Sequence, residues 1–139
     1  MSPAANTAFV TGGTGGLGRA VVARFLADGY KVAVPYLSEP EWTALASAHQ
    51  DAVRSGSLHG LVADVTDERS VADATAKAAG AIGGIRVLAH IAGGYRGGVD
   101  VERVEADDVR TMIDLNLVSA FWAAKHVIPH AKRAGSGRL

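Results

Sequence analysis

The segment Thr11-Gly12-Gly13-Thr14-Gly15-Gly16-Leu17-Gly18 is where residue types and spacing point most directly to chemistry. Gly12 permits a tight turn, Gly16 lets the backbone approach a large anion with no Cβ in the way, and Gly18 allows a helix to pack close to a sheet. An apolar run at residues 7–10 precedes the segment and a helical pattern follows it. Its free N–H groups therefore meet the positive end of a helix dipole, an arrangement that holds phosphate. No Gly-Lys-Ser/Thr follows the loop, which excludes a nucleoside-triphosphate P-loop and leaves a pyrophosphate bridge as the expected guest. The competing reading is a strand-to-helix turn that binds nothing.

Other candidates are weaker. His126 and His130 stand four apart and could share a helix face and a metal, but Pro129 lies between them and no acid is near in sequence. No metal site is expected. His49 and His59 read as surface or boundary residues. The chain has no cysteine, so disulfides, thiolate zinc sites and cysteine nucleophiles are excluded. Tyr95-Arg96-Gly97-Gly98 follows an apolar run; Arg96 either meets a phosphate or carboxylate there or is a solvated loop residue.

These residues need elements to hold them. Strand patterns at residues 7–10, 31–36, 60–63 and 86–91 alternate with helical ones. Leu17, Val21, Val22, Phe25 and Leu26 fall at helical spacing, with Gly29 where a helix ends. Ser38-Glu39-Pro40-Glu41 has the spacing of a capping box, opening a helix through Trp42, Leu45 and Ala46. An alanine-rich helix is expected over 67–81. Residues 104–115 read as helical and run through Asn116 into a longer helix ending near Arg133. Pro35 must lie near the end of its strand, because it donates no ladder hydrogen bond. Trp42 is expected to pack its helix on the sheet. Phe121 and Trp122 serve either the core or a subunit contact. Residues 138–139 resemble the first step of a fifth strand. Repeated strand–helix alternation with right-handed crossovers gives a doubly wound parallel α/β sheet.

Composition agrees with one domain. The 139 residues carry 14 Lys+Arg against 14 Asp+Glu, and this balance argues against a nucleic-acid binder or a polybasic membrane-surface protein. With 48% hydrophobic and 20% charged residues, the chain can bury a core. Its N-terminus lacks a signal-peptide pattern and no apolar run reaches membrane-span length. A cytoplasmic protein is the expectation.

Thr11-Gly12-x-x-x-Gly16-x-Gly18, followed by Asp64-Val65, Ala92-Gly93 and Asn116 in that order, resembles the short-chain dehydrogenase/reductase family. Gly135-Ser136-Gly137-Arg138 is similar to the family's lead into its fifth strand. Gly12, Gly15 and Gly18 also fit the glycine pattern of the extended, sugar-nucleotide branch, whereas Ala92-Gly93-Gly94 with the stretch from Asn116 to Gly137 favours the shorter oxidoreductase branch. The resemblance implies a Rossmann-type fold with strand order 3-2-1-4. It implies NAD or NADP as cofactor, and hydride transfer between an alcohol and a carbonyl of a small substrate, by a homo-oligomer. It places Thr11, Gly12, Thr14, Gly16, Leu17, Gly18, Tyr36, Asp64, Val65, Ala92 and Gly93 at the cofactor, with Asp64 on the adenine. Asn116 matches an Asn of the catalytic tetrad.

Three departures stand out. His90 and Ile91 occupy the family's two asparagine positions; His90 either supplies a ring N–H to the central strands or is a satisfied core histidine. Tyr36-Leu37 closes the second strand with neither an acid nor a base, and the lack of a basic residue leans toward NAD. Tyr30, Tyr36 and Tyr95 are followed four residues on by Val34, Pro40 and Val99, so the family's Tyr-x-x-x-Lys does not occur in these residues. The chain is therefore expected to be the N-terminal half of a longer enzyme, inactive in carbonyl reduction by itself. The rivals are a truncated dinucleotide-binding sensor and a half that pairs with a separate chain.

Overall fold

The computed structural model describes residues 5–139; residues 1–4, part of the stretch read as free of a signal peptide, lie outside it. The element order is β1 (Thr7–Thr11), α1 (Gly16–Ala27), β2 (Lys31–Tyr36), α2 (Glu39–Ala48), α3 (Gln50–Arg54), β3 (Leu58–Val62), α4 (Glu68–Ile82) and β4 (Val87–His90). A 3-10 turn (Val101–Arg103), α5 (Ala106–Ile113), a π-helical turn (Asp114–Val118) and α6 (Ser119–Arg133) follow. The four strands form one parallel sheet in the order β3-β2-β1-β4. A parallel bridge between Val87 and Arg138 begins a further pairing on the β4 edge.

Both faces of the sheet are covered, and the side-chain alternation of β1 and β2 divides the core. Phe9 and Ala33 point to one face, where they meet Ala74, Ala78 and Ile82 of α4 and Ala123 and Val127 of α6. Ala8, Val10, Val32 and Val34 point to the other, against Val22 of α1 and Leu45 of α2. Strands buried on both sides read as continuous apolar runs, as these do.

Local chemistry sets the element ends. Gly29 (φ 79°) closes α1: its N–H donates to Leu26 O and the Tyr30 N–H donates to Phe25 O. The Phe25 and Tyr30 rings, with centroids 4.9 Å apart, complete this helix-terminating motif. Asp67 caps α4 by accepting the Ser70 N–H at 2.7 Å. Pro35 sits one residue from the end of β2, beyond the last β1–β2 pair at Phe9 and Ala33.

Two expectations are corrected. The helix expected to run smoothly through Asn116 is interrupted by the π-helical turn. One extra residue per turn there re-aims the side chains that follow, a device common at functional sites. The Ser38–Glu41 capping box forms only by half. Ser38 Oγ accepts the Glu41 N–H, while the Glu41 carboxylate turns toward the glycine loop, as described below.

Candidate functional site

The glycine loop, the C-terminal ends of β1, β2 and β4, and the start of the π turn enclose a cleft of about 470 Å³. This is the carboxyl edge of an open parallel sheet, between strands that diverge to opposite sides, where ligands of such sheets bind. Gly12, Thr14, Gly16, Leu17, Gly18, Tyr36, Val65, Ala92 and Gly93 all line it. Thr11 and Asp64 do not. Thr11 is fully buried behind the wall. The half-buried Asp64 carboxylate closes a local turn, its Oδ1 accepting the Thr66 N–H at 2.9 Å and hydroxyl at 2.7 Å.

The glycines divide into two kinds. Gly12 has φ 67°, and a Cβ there would lie 2.6 Å from Ala92 N. A Cβ on Gly18 would overlap the Gly12 carbonyl. These two are demanded by the fold itself. Gly16 is the opposite: nothing lies within 4 Å of where its Cβ would be. Packing does not require its small size. No side chain caps α1 and no acid occupies its first turn, so its first N–H groups remain for a ligand. The cradle therefore fits a pyrophosphate.

Glu41 is a charged lining residue that sequence reasoning missed. Its Oε2 accepts the Thr14 hydroxyl at 3.1 Å, while Arg19 Nε donates to the Thr14 carbonyl at 2.7 Å. Among the described residues no Lys or Arg lines the cleft. The Tyr36 ring stacks on Trp42, with centroids 5.3 Å apart. Burial, followed by the Glu39 carboxylate, raises the Tyr36 phenol above its ordinary range, so it stays neutral at physiological pH.

Asn116 lies beside the cleft in the π turn. Its Nδ2 donates to the carbonyls of Gly94 and Met112, both at 2.9 Å, and its Oδ1 accepts the Gly94 N–H at 3.0 Å. His90 reaches two hydroxyls, Thr11 Oγ1 at 2.8 Å and Ser119 Oγ at 3.1 Å. It thus joins β1 to α6 as well as being a satisfied histidine.

The remaining candidates take structural roles. Arg96 pairs with Asp108 at 3.1 Å. His126 does have an acid nearby after all: Glu68 Oε1 lies 3.3 Å from its Nε2 and also accepts from Lys125. His130 instead meets Arg133. No cluster able to hold a metal occurs among the described residues. Trp42 packs on the sheet as expected, its ring lying against Gly60 of β3. Phe121 is 63% exposed and so is not core.

The family model for short chain dehydrogenase matches residues 6–139. The chain is 35% identical over 136 residues to 2-dehydro-3-deoxy-L-rhamnonate dehydrogenase (NAD(+)) of Sphingomonas sp., covering 98% of this chain and 52% of that protein. It is 32% identical over 137 residues to 2,5-dichloro-2,5-cyclohexadiene-1,4-diol dehydrogenase of Sphingobium indicum, covering 98% and 53%. A short-chain dehydrogenase/reductase structure from Serratia marcescens superposes with a TM-score of 0.82 at 32% identity, covering 92% of this chain and 52% of that one. The chain belongs to the short chain dehydrogenase family, and it spans about half the length of the curated relatives it matches. Among the described residues no helix is long and apolar enough to cross a membrane.

Proposed function

We propose that the protein is a nicotinamide-dinucleotide-dependent oxidoreductase that interconverts an alcohol and a carbonyl of a small molecule. The observation that carries this is Gly16: a glycine that packing does not require, at the N-terminus of an uncapped helix, facing a cleft between diverging strands. When bound, the dinucleotide supplies or receives the hydride. The residues here do the holding. The loop and the first turn of α1 would hold the pyrophosphate, Tyr36 and Val65 the adenosine end, and Ala92 and Gly93 the nicotinamide end. Asn116 acts as a positioning residue, through its hold on Gly94.

The cofactor lean is to NAD. The Glu41 carboxylate beside Thr14, with no cation on the cleft wall, favours a ribose 2′-hydroxyl over a 2′-phosphate. The chain carries no Tyr-x-x-x-Lys, so these residues alone give no turnover; proton transfer to the carbonyl requires an acid they do not supply. The exposed Phe121 on α6 fits a subunit contact in a homo-oligomer.

Titrating the chain with NAD⁺, NADH, NADP⁺ and NADPH, read by Trp42 fluorescence through its stacking on Tyr36, tests the proposal. Saturable binding, tighter for the NAD pair, is expected. Absence of saturable binding to all four overturns it.

A further inference from the structure

The hydrogen bonds around His90 form one directed chain whose every proton can be assigned. Ser119 has a single hydroxyl proton, and it goes to the Leu115 carbonyl at 2.6 Å. Ser119 Oγ therefore accepts from His90 Nε2, so Nε2 carries the ring proton. In a neutral ring Nδ1 is then an acceptor, and its donor is the Thr11 hydroxyl. The Thr11 oxygen in turn accepts the Ala92 N–H at 3.3 Å. The sequence of donors is Ala92 N–H, Thr11 O–H, His90 Nε2–H and Ser119 O–H, ending on Leu115.

Both ends of this chain lie on the wall of the same cleft, since Ala92 and Leu115 each line it. Leu115 also immediately precedes Asn116 in the π turn. The middle is protected: Thr11 and Ser119 are each 0% exposed. Ser119 donating to a carbonyl four residues back is the kind of bond that accompanies helix distortion, and it sits where the π turn ends.

We propose that His90 is a positioning residue: a neutral, Nε2-protonated ring that, through Thr11 and Ser119, holds the Ala92 amide in register with the π turn that carries Asn116. A core histidine that only fills space needs no fixed tautomer. This one has it dictated from both sides. Partners on β1 and α6 are hydroxyls, and burial is what lowers the ring's basicity, with no charged neighbour contributing; the neutral form follows. The consequence for cofactor geometry rests on the cleft being the dinucleotide site, whereas the polar chain does not.

Long-range proton–nitrogen correlation on the ¹³C,¹⁵N-labelled chain near neutral pH reads the tautomer directly, with the His90 signals identified by through-bond assignment of the wild-type chain. A pyrrole-like Nε2 and a pyridine-like Nδ1 are expected; an Nδ1-protonated or averaging ring overturns the proposal. Two variants test the transmission. Asn places an oxygen where Nδ1 stood, and Gln places an amide nitrogen where Nε2 stood. His90→Asn should keep the Ala92 amide shift and move the Asn116 side-chain amide; His90→Gln should do the reverse. Equal perturbation of both reporters by both variants would mean simple loss of packing and sink the idea. The wild-type tautomer decides the matter if neither variant folds. None of these readouts depends on added dinucleotide, so failure of cofactor binding is separately visible.

Discussion

Asn116 grips Gly94 by both edges of its amide, accepting the glycine N–H through Oδ1 and donating to the glycine carbonyl through Nδ2. A paired exchange of this kind fixes a loop residue as a neighbouring strand would. It holds the backbone leaving β4 against the π turn, at the point where the cleft opens to solvent.

Replacing Asn116 with Asp should therefore cost more than replacing it with Ala. Ala loses exposed hydrogen bonds worth about 1 kcal/mol net. Asp adds a negative carboxylate beside the carbonyls of Gly94 and Met112, where a donor is needed. Urea unfolding midpoints should rank wild type, Asn116→Ala, Asn116→Asp, and the reverse order of the two variants would contradict the assigned amide orientation.

Gly16 and Gly18 should separate binding from folding. Gly16→Val puts its side chain into open cleft, leaving the melting temperature near that of wild type while removing dinucleotide affinity. Gly18→Ala gains about 1 kcal/mol of helix propensity, but its Cβ meets the Gly12 carbonyl, and overpacking of about 1–3 kcal/mol outweighs that gain. Thermal melts with and without NAD⁺ check both.

The Glu41 carboxylate should set part of the cofactor preference. Glu41→Gln keeps an acceptor for Thr14 and removes the charge. The ratio of NADP⁺ to NAD⁺ dissociation constants should fall by roughly fivefold, the equivalent of about 1 kcal/mol. An unchanged ratio would remove Glu41 from the selection of the ribose.

Stability should decline on acidification through histidine. Burial lowers the His90 pKa, and burial followed by Arg133 lowers that of His130, each from 6.5. Between the lowered value and 6.5 the unfolded ring binds more protons than the native one, so stability rises with pH across that window. The contribution is complete above 6.5 and is lost as pH falls through the native pKa. Urea midpoints from about pH 8 to about pH 5 should fall in wild type, and fall less steeply in His90→Gln and His130→Gln.

The alternation of strands and helices was legible because strands buried on both faces are uninterrupted apolar runs, and because Gly29, Ser38 and Asp67 mark helix ends by local chemistry. The turn of the glycine loop was legible for the same reason: it rests on local backbone geometry, the positive φ of Gly12 above all. What local pattern does not carry is pairing at a distance. Thr14 and Glu41 are 27 residues apart, and Glu68 and His126 are 58 apart; each pair looked like separate surface charge or cap. The π turn escaped because its residues keep a helical composition, and its extra residue shows only as a slip in register. The turn that Asp64 Oδ1 closes with Thr66 is local, but it depends on side-chain geometry that the sequence pattern does not carry.

The pairing of β1 with β4 sets Thr11 opposite His90, residues 79 apart in the chain. Closing so long a loop is a slow, entropically costly event, so contacts of this range form late in folding. The cleft has one wall on each side of that closure, and until it happens there is no site. A dinucleotide added during refolding should then leave the folding rate unchanged and slow only unfolding, because it recognises nothing before the native state.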